Sequence, residues 1–137
     1  MKLILILPIF LVITSCVNED TSNSILDNTK WKVSKTTYES IDGTTQSFTE
    51  DNDGGFYITF NKTGEFNQEW YPYSSSSNGY WKYFDGEKKL SLMDINDNPF
   101  IEYTVLQLTT DNLTLYSEKY SQDINGFVKL TLELKPY

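Results

Sequence analysis

The sequence predicts an all-β protein, an antiparallel up-and-down barrel of about eight strands. Three observations carry that prediction. Apolar and polar side chains alternate with a period of two in short runs from residue 30 to residue 134. Turn-forming clusters rich in Gly, Asn, Asp and Ser separate those runs. No convincing long helical pattern interrupts them. A β-sandwich has a similar signature, but hairpin links between sequence neighbours favour the barrel.

The elements follow in order. Ile25-Leu26 suits a short helical turn or plug at the start of the domain. Trp31, Val33 and Tyr38 fall in the β-compatible segment KWKVSKTTY. The longest connection, Glu39 to Gly55, carries Gly43, Gly54 and Gly55, with room for a short strand around Thr44 to Phe48. The clearest hairpin is Phe56 to Tyr71. Phe56, Ile58 and Phe60 alternate with Tyr57 and Thr59, and Phe66, Gln68 and Trp70 alternate on the way back. Its turn, Asn61-Lys62-Thr63-Gly64, suits a type I turn closed by a left-handed glycine. Pro72 to Asn78 reads as a loop, and Gly79 to Phe84 as a strand with Trp81 and Tyr83 on one face. Asp85-Gly86 signals a tight hairpin back to Lys88–Met93, where Leu90 and Leu92 point inward. After the loop Asp94 to Pro99, the strand Phe100 to Leu108 switches parity between Tyr103-Val105 and Leu106-Leu108; a bulge, or burial on both sides, would account for it. Thr109 to Asn112 is a turn, Leu113 and Leu115 begin a strand, and Asp123 to Gly126 is a loop. The last strand sets Val128, Leu130, Leu132 and Leu134 against Lys129, Thr131, Glu133 and Lys135.

The chain ends and the composition speak to location. Lys2 precedes an apolar run from Leu3 to Ile13, the length of a signal-peptide core and too short to span a membrane. Ile13-Thr14-Ser15-Cys16 resembles the lipobox of bacterial lipoproteins, in which the cysteine is lipidated and becomes the new N-terminus. Residues 1–15 are therefore expected to be a signal peptide, residues 16–24 a lipidated Cys16 with a flexible polar tether, and residues 25–137 the barrel domain. Glu19-Asp20 adds an acidic pair to that tether. The expected address is the cell envelope, as an outer membrane lipoprotein on its periplasmic or surface-exposed face, with palmitate among the anchoring chains. Losing fifteen of 137 residues leaves 122, room for one modest core. The chain has no histidine and no arginine. Histidine bases, Cys/His metal sites and guanidinium clamps are thereby excluded. Ten lysines beyond the leader against nineteen acids give a mature charge of about −9, which argues against a nucleic-acid partner.

Several stretches resemble the lipocalin-like domains of Bacteroidetes lipoproteins. They are Leu26 with Trp31-Lys32-Val33, the hairpin FYITFNKTGEF, the segment NGYWKYFDGEKKLSLMD, and IEYTVLQLTTDNLTLYS with the final LTLEL. The likeness covers most of Ile25 to Leu134 and implies the up-and-down barrel. Thr29 stands where lipocalins carry a glycine two residues before the tryptophan. No arginine is present to lie over that tryptophan.

Up-and-down connectivity sorts the connections by end. Asn61–Gly64, Asp85-Gly86 and Thr109–Asn112 form a floor. Glu39–Gly55, Pro72–Asn78, Asp94–Pro99 and Lys119–Gly126 form a mouth. The candidate ligand-binding residues are Phe56, Ile58, Gln68, Trp70, Trp81, Tyr83 and Tyr103, with Phe56 and Trp70 nearest the opening and Phe60 and Phe66 deepest. They either line an apolar pocket, with Gln68 and tyrosine hydroxyls orienting a ligand, or fill the interior as a solid core. Tyr71, Tyr73 and Tyr80 are expected near the mouth, where tyrosines stack on sugars or peptides. Asp42, Glu50, Asp51, Asp53, Asp94, Asp97 and Asp123 make the mouth acidic and favour neutral or cationic ligands. Asp94 to Asn98 matches half of a calcium loop, but Pro99 and Val105 occupy positions that need Gly and Glu, so no metal or other cofactor is expected. Glu65 or Glu69 with Asp94 is the conceivable glycosidase pair, without a spacing that singles out acid and base. The expectation is a non-enzymatic module. Its partners are the membrane through its lipid, a small apolar or glycan-like ligand, or an envelope protein contacted by a solid barrel.

Overall fold

The computed structural model describes residues 25–49, 54–84, 86, 88–121 and 126–137. The expected signal peptide, Cys16 and the expected tether lie outside the described residues, as do Glu50, Asp51, Asp53, Asp85 and Asp123–Asn125.

Nine antiparallel strands run in chain order: β1 Lys30–Glu39, β2 Thr45–Thr49, β3 Gly55–Phe60, β4 Glu65–Tyr71, β5 Ser75–Phe84, β6 Lys89–Met93, β7 Pro99–Leu108, β8 Leu113–Ser121 and β9 Gly126–Pro136. Strands β3 to β9 pair each with the next, β1 pairs with β3, and β9 pairs back onto β1. That closes an eight-stranded barrel. The ninth strand, β2, is the short one expected around Thr44 to Phe48, and it lies beside β1 in the place β3 vacates. Lys30–Lys32 face Thr59–Tyr57 of β3, a register that would bring Lys35 opposite Gly54. Lys35 instead faces Thr49 of β2. Two segments of the chain therefore occupy one edge of β1 in succession.

Three bulges decide which side chains turn inward. In the β1–β9 ladder Val33 faces Leu134 and Lys35 faces Glu133, so Ser34 is the extra residue. Its hydroxyl donates to the Glu133 carbonyl at 2.9 Å. The bulge moves the inward parity from Trp31 and Val33 to Thr36 and Tyr38. Between β6 and β7 the extra residue is Phe100. Between β7 and β8 it is Leu106, which is exposed, while Val105 and Leu108 on either side reach the core. That is the parity switch visible in the sequence, made by a bulge.

The floor is packed solid. Leu26, in the helical turn at Ile25-Leu26, is fully buried beside Trp31, Phe60, Phe66 and Leu113. Asn28 N–H donates to the Phe60 carbonyl at 2.6 Å and ties this plug to β3. Burying each such large apolar side chain contributes about 1.5–3 kcal/mol. The Asn61–Gly64 turn forms as expected, with Gly64 N–H donating to Asn61 at 2.9 Å and Gly64 at φ 88°.

Two connections differ from the sequence expectation. Pro72–Asn78 is not one loop: Ser75–Asn78 pair with Trp70–Asn67 and belong to β5, leaving a tight turn at Pro72–Ser74. A serine run has weak strand preference by itself, and the ladder along β4 overrides it. Likewise Lys119–Ser121 continue β8 opposite Val128–Gly126.

Candidate functional site

The half of the barrel away from the Asn61–Gly64 turn holds a cavity of about 310 Å³. β1 contributes Thr36 and Tyr38, placed inward by the Ser34 bulge. β3 contributes Gly55 and Phe56, and β4 contributes Gln68 and Trp70. Across from them stand Phe100, Ile101 and Tyr103 of β7, with Leu92 of β6 and Leu130 and Leu132 of β9. The volume is at the small end of the ~300–1,000 Å³ usual for small-molecule sites.

The lining is apolar with polar groups at chosen points. The Phe56 and Trp70 rings sit 5.0 Å apart, with Trp70 exposed at the rim. Tyr103 is buried, and burial, reinforced by Tyr38, pushes its phenol up to about 12. It is a neutral hydroxyl at any physiological pH. Neither Tyr103 nor Gln68 makes a side-chain hydrogen bond with a described residue. A phenol and a carboxamide therefore border an apolar space with no side-chain hydrogen bond to another described residue.

Of the seven expected ligand-binding residues, Phe56, Gln68, Trp70 and Tyr103 come together around this cavity. Ile58 is buried in the core. Trp81 and Tyr83 do not reach the cavity. The Trp81 indole N–H donates to the Asn61 carbonyl at 3.0 Å, and its ring meets Phe60 edge-on at 5.3 Å. Tyr83 lines a separate shallow depression with Trp81, Asp27, Lys62 and Phe84. The cause is the β4–β5 register: Gln68 faces Ser77 and Trp70 faces Ser75, so serines occupy the upper positions of β5. Reading Ser75–Asn78 as loop places the β5 aromatics too high. Thr36, Phe100 and Ile101 escape the sequence reading because bulges set their direction; the shift from Val33 to Tyr38 was the available signal.

The chain matches no protein-family model and no curated protein.

The expected mouth tyrosines separate. Tyr73 is exposed at the Pro72–Ser74 turn. Tyr71 lies on the outer wall, its ring 4.7 Å from Tyr57 and 5.5 Å from the Lys32 ammonium. Tyr80 sits opposite Glu65 and Met93, away from the rim. Of the described mouth acids, Asp42 and Asp94 are engaged locally. Asp42 accepts the Thr44 N–H at 2.9 Å, which lowers its carboxyl. The backbone N–H groups of Asn98 and Asn96 lower Asp94 in the same way, at 3.0 and 2.8 Å. The half calcium loop is thus a turn capped by its own first aspartate. Ile95 shares a depression with Asn61 and Glu65, so this connection lies beside the start of β4 rather than with the rim turns. Of the conceivable acid pair, Glu69 is tied to Lys30 at 2.8 Å and accepts from Asn67 at 3.0 Å. Glu65 accepts from Thr63 at 3.2 Å.

The deepest tryptophan carries one loose end. Trp31 is fully buried and its Nε1–H has no hydrogen-bond partner among the described residues.

Proposed function

We propose that the chain is a lipid-anchored, lipocalin-like binding module of the bacterial cell envelope, taking a small apolar or neutral, glycan-like ligand at the open end of its barrel. The cavity bordered by Phe56, Trp70, Gln68 and Tyr103 carries this reading: aromatic walls for an apolar body, two polar groups for orientation. The leader and Cys16 support the anchor. The ligand reading is tested by titrating an apolar fluorescent probe into the full chain carrying Cys16→Ser, with the emission of the directly excited probe as the signal. Saturable binding that Trp70→Phe and Tyr103→Phe both weaken is expected; no saturable binding, with no small molecule retained in native mass spectrometry, sinks it. The anchor is tested by palmitate labelling in the bacterial host, where a Cys16→Ser chain that stays membrane-bound contradicts it.

A second reading, a protein-interaction domain without ligand, draws on the solid packing of Trp31, Phe60, Phe66 and Trp81. A cavity filled by rearranged side chains in a crystal structure would favour it.

A further inference from the structure

No described residue bordering the interior cavity is charged. An ion drawn into that space would lose its hydration and meet no opposite charge. The hydrogen-bonding side chains of the lining are Thr36, Tyr38, Gln68 and Tyr103. Thr36 is buried and already engaged, and Tyr38 is half exposed at the mouth. Gln68 and Tyr103 remain. Tyr103 is only 7% exposed, and its phenol makes no hydrogen bond with another described residue. A buried donor of that kind gains a bond when an acceptor oxygen enters the cavity. A carbonyl suits it best, because a carbonyl accepts without bringing a donor that needs its own partner.

Size and wall shape narrow the ligand further. At a liquid-like share of about 30 Å³ per non-hydrogen atom, a cavity of about 310 Å³ holds about ten. The Phe56 and Trp70 rings meet at 53° and form a corner, with Phe100 also in the lining. Aromatic faces and edges of that kind pack well against another flat ring. A sugar of the same size carries a hydroxyl on nearly every carbon, more than Gln68 and Tyr103 can pair. Each one left over weakens binding.

On one side the cavity is bounded by side chains rather than by a ladder. β7 and β8 pair from Leu108↔Leu113 to Thr104↔Tyr116 and then part, so Glu102 and Glu118, next in that register, do not meet. Tyr38, Phe100, Ile101 and Leu130 border both the cavity and the opening between the two strands, and screen one from the other. The opening is rimmed by the exposed Glu102, Glu118 and Lys119, which favour water there. The apolar body of a ligand therefore belongs inside the screen.

We propose that the interior cavity selects an uncharged, single-ring molecule of about ten non-hydrogen atoms bearing one carbonyl oxygen, which Tyr103 recognises. The Tyr103 hydroxyl donates to that oxygen, Gln68 supplies the second hydrogen-bonding group, and the ring packs in the Phe56–Trp70 corner. This rests on the interior accepting a ligand, and narrows its class: ions and sugars are excluded.

The test titrates the full chain carrying Cys16→Ser with four probes of similar size: 4-ethylacetophenone, butylbenzene, 4-ethylbenzoate and methyl glucoside. Binding is read from the backbone amide shifts of Gln68, Trp70 and Tyr103. The ketone is expected to bind tightest, about threefold to tenfold above the hydrocarbon, the size of one hydrogen bond. The benzoate and the glucoside fall about tenfold or more below the ketone. Tyr103→Phe removes the preference for ketone over hydrocarbon. Tyr116→Phe, on the outward parity of β8, leaves it unchanged. Benzoate, glucoside or hydrocarbon binding as tightly as the ketone overturns this inference while the interior-ligand reading stands. So does a ketone preference that survives Tyr103→Phe or falls equally with Tyr116→Phe. No saturable binding of any of the four probes overturns both.

Discussion

The floor and the mouth of this barrel are made by the same strands, yet one is solid and the other open. At the floor, Trp31, Phe60 and Phe66 are no more than 1% exposed. At the mouth, Tyr38 and Trp70 are each 41% exposed and Phe100 55%. Residue size is not the difference, since aromatics dominate both. Strand pairing is. Around the floor the β1–β9, β3–β4, β7–β8 and β8–β9 ladders run to the strand ends, and the Leu26 plug packs against them. Toward the mouth β2 takes over from β3 beside β1, Ser75–Gly79 of β5 run past the end of β6, and β7 leaves β8. Where ladders fail, side chains lose neighbours on one flank, and a space remains that packing alone would have closed.

Equivalent truncations at the two ends break or sharpen that contrast most directly. Phe60→Ala should cost about 3–5 kcal/mol in urea denaturation, whereas Trp70→Ala at the rim should stay within about 1 kcal/mol. Similar losses would mean the mouth is as closely packed as the floor. The next effect is pH-dependent and belongs to the cavity. The Tyr103 phenol titrates near 12 when folded and near 10 when unfolded. Because the folded value is raised, its contribution is fully present below pH 10 and lost as pH rises toward 12. The loss is on the order of 2–3 kcal/mol. Tyr103→Phe should keep its stability across that window relative to the wild type; parallel curves would place the phenol in water.

A smaller effect probes the β5–β6 junction. A side chain at Gly79 would collide with the Met93 carbonyl oxygen and stand 2.8 Å from the Phe66 ring. Gly79→Ala should therefore cost about 1–3 kcal/mol, while Gly86→Ala, with open space around it, should be near neutral on thermal melting. The smallest is at the β6–β7 turn. Asp94 should titrate below the ordinary aspartate range by NMR, because the Asn98 and Asn96 amides hold its anionic form. Its depressed value means this help is present above the unfolded pKa and fades as pH falls through the folded one. An unshifted Asp94 would mean the turn is open in solution.

Much of the wall was legible from residue alternation. Phe56, Ile58 and Phe60 point inward, Phe66 lies deep and Trp70 sits at the rim, as period two requires. The switch within Phe100–Leu108 announced a bulge, though not that Leu106 would be the extra residue. Trp81 and Tyr83 were misplaced because a serine run hides the start of β5, and one hidden segment shifts every height that follows it.

The sequence by itself determined an antiparallel all-β fold with an aromatic interior and favoured the barrel, since alternation and turn chemistry are local and repeat in every hairpin; the β1–β9 pairing closes it. Only the tertiary structure decided that the interior is half filled. Register offsets, bulges and the failed meeting of Glu102 with Glu118 are relations between strands, and no single strand contains them.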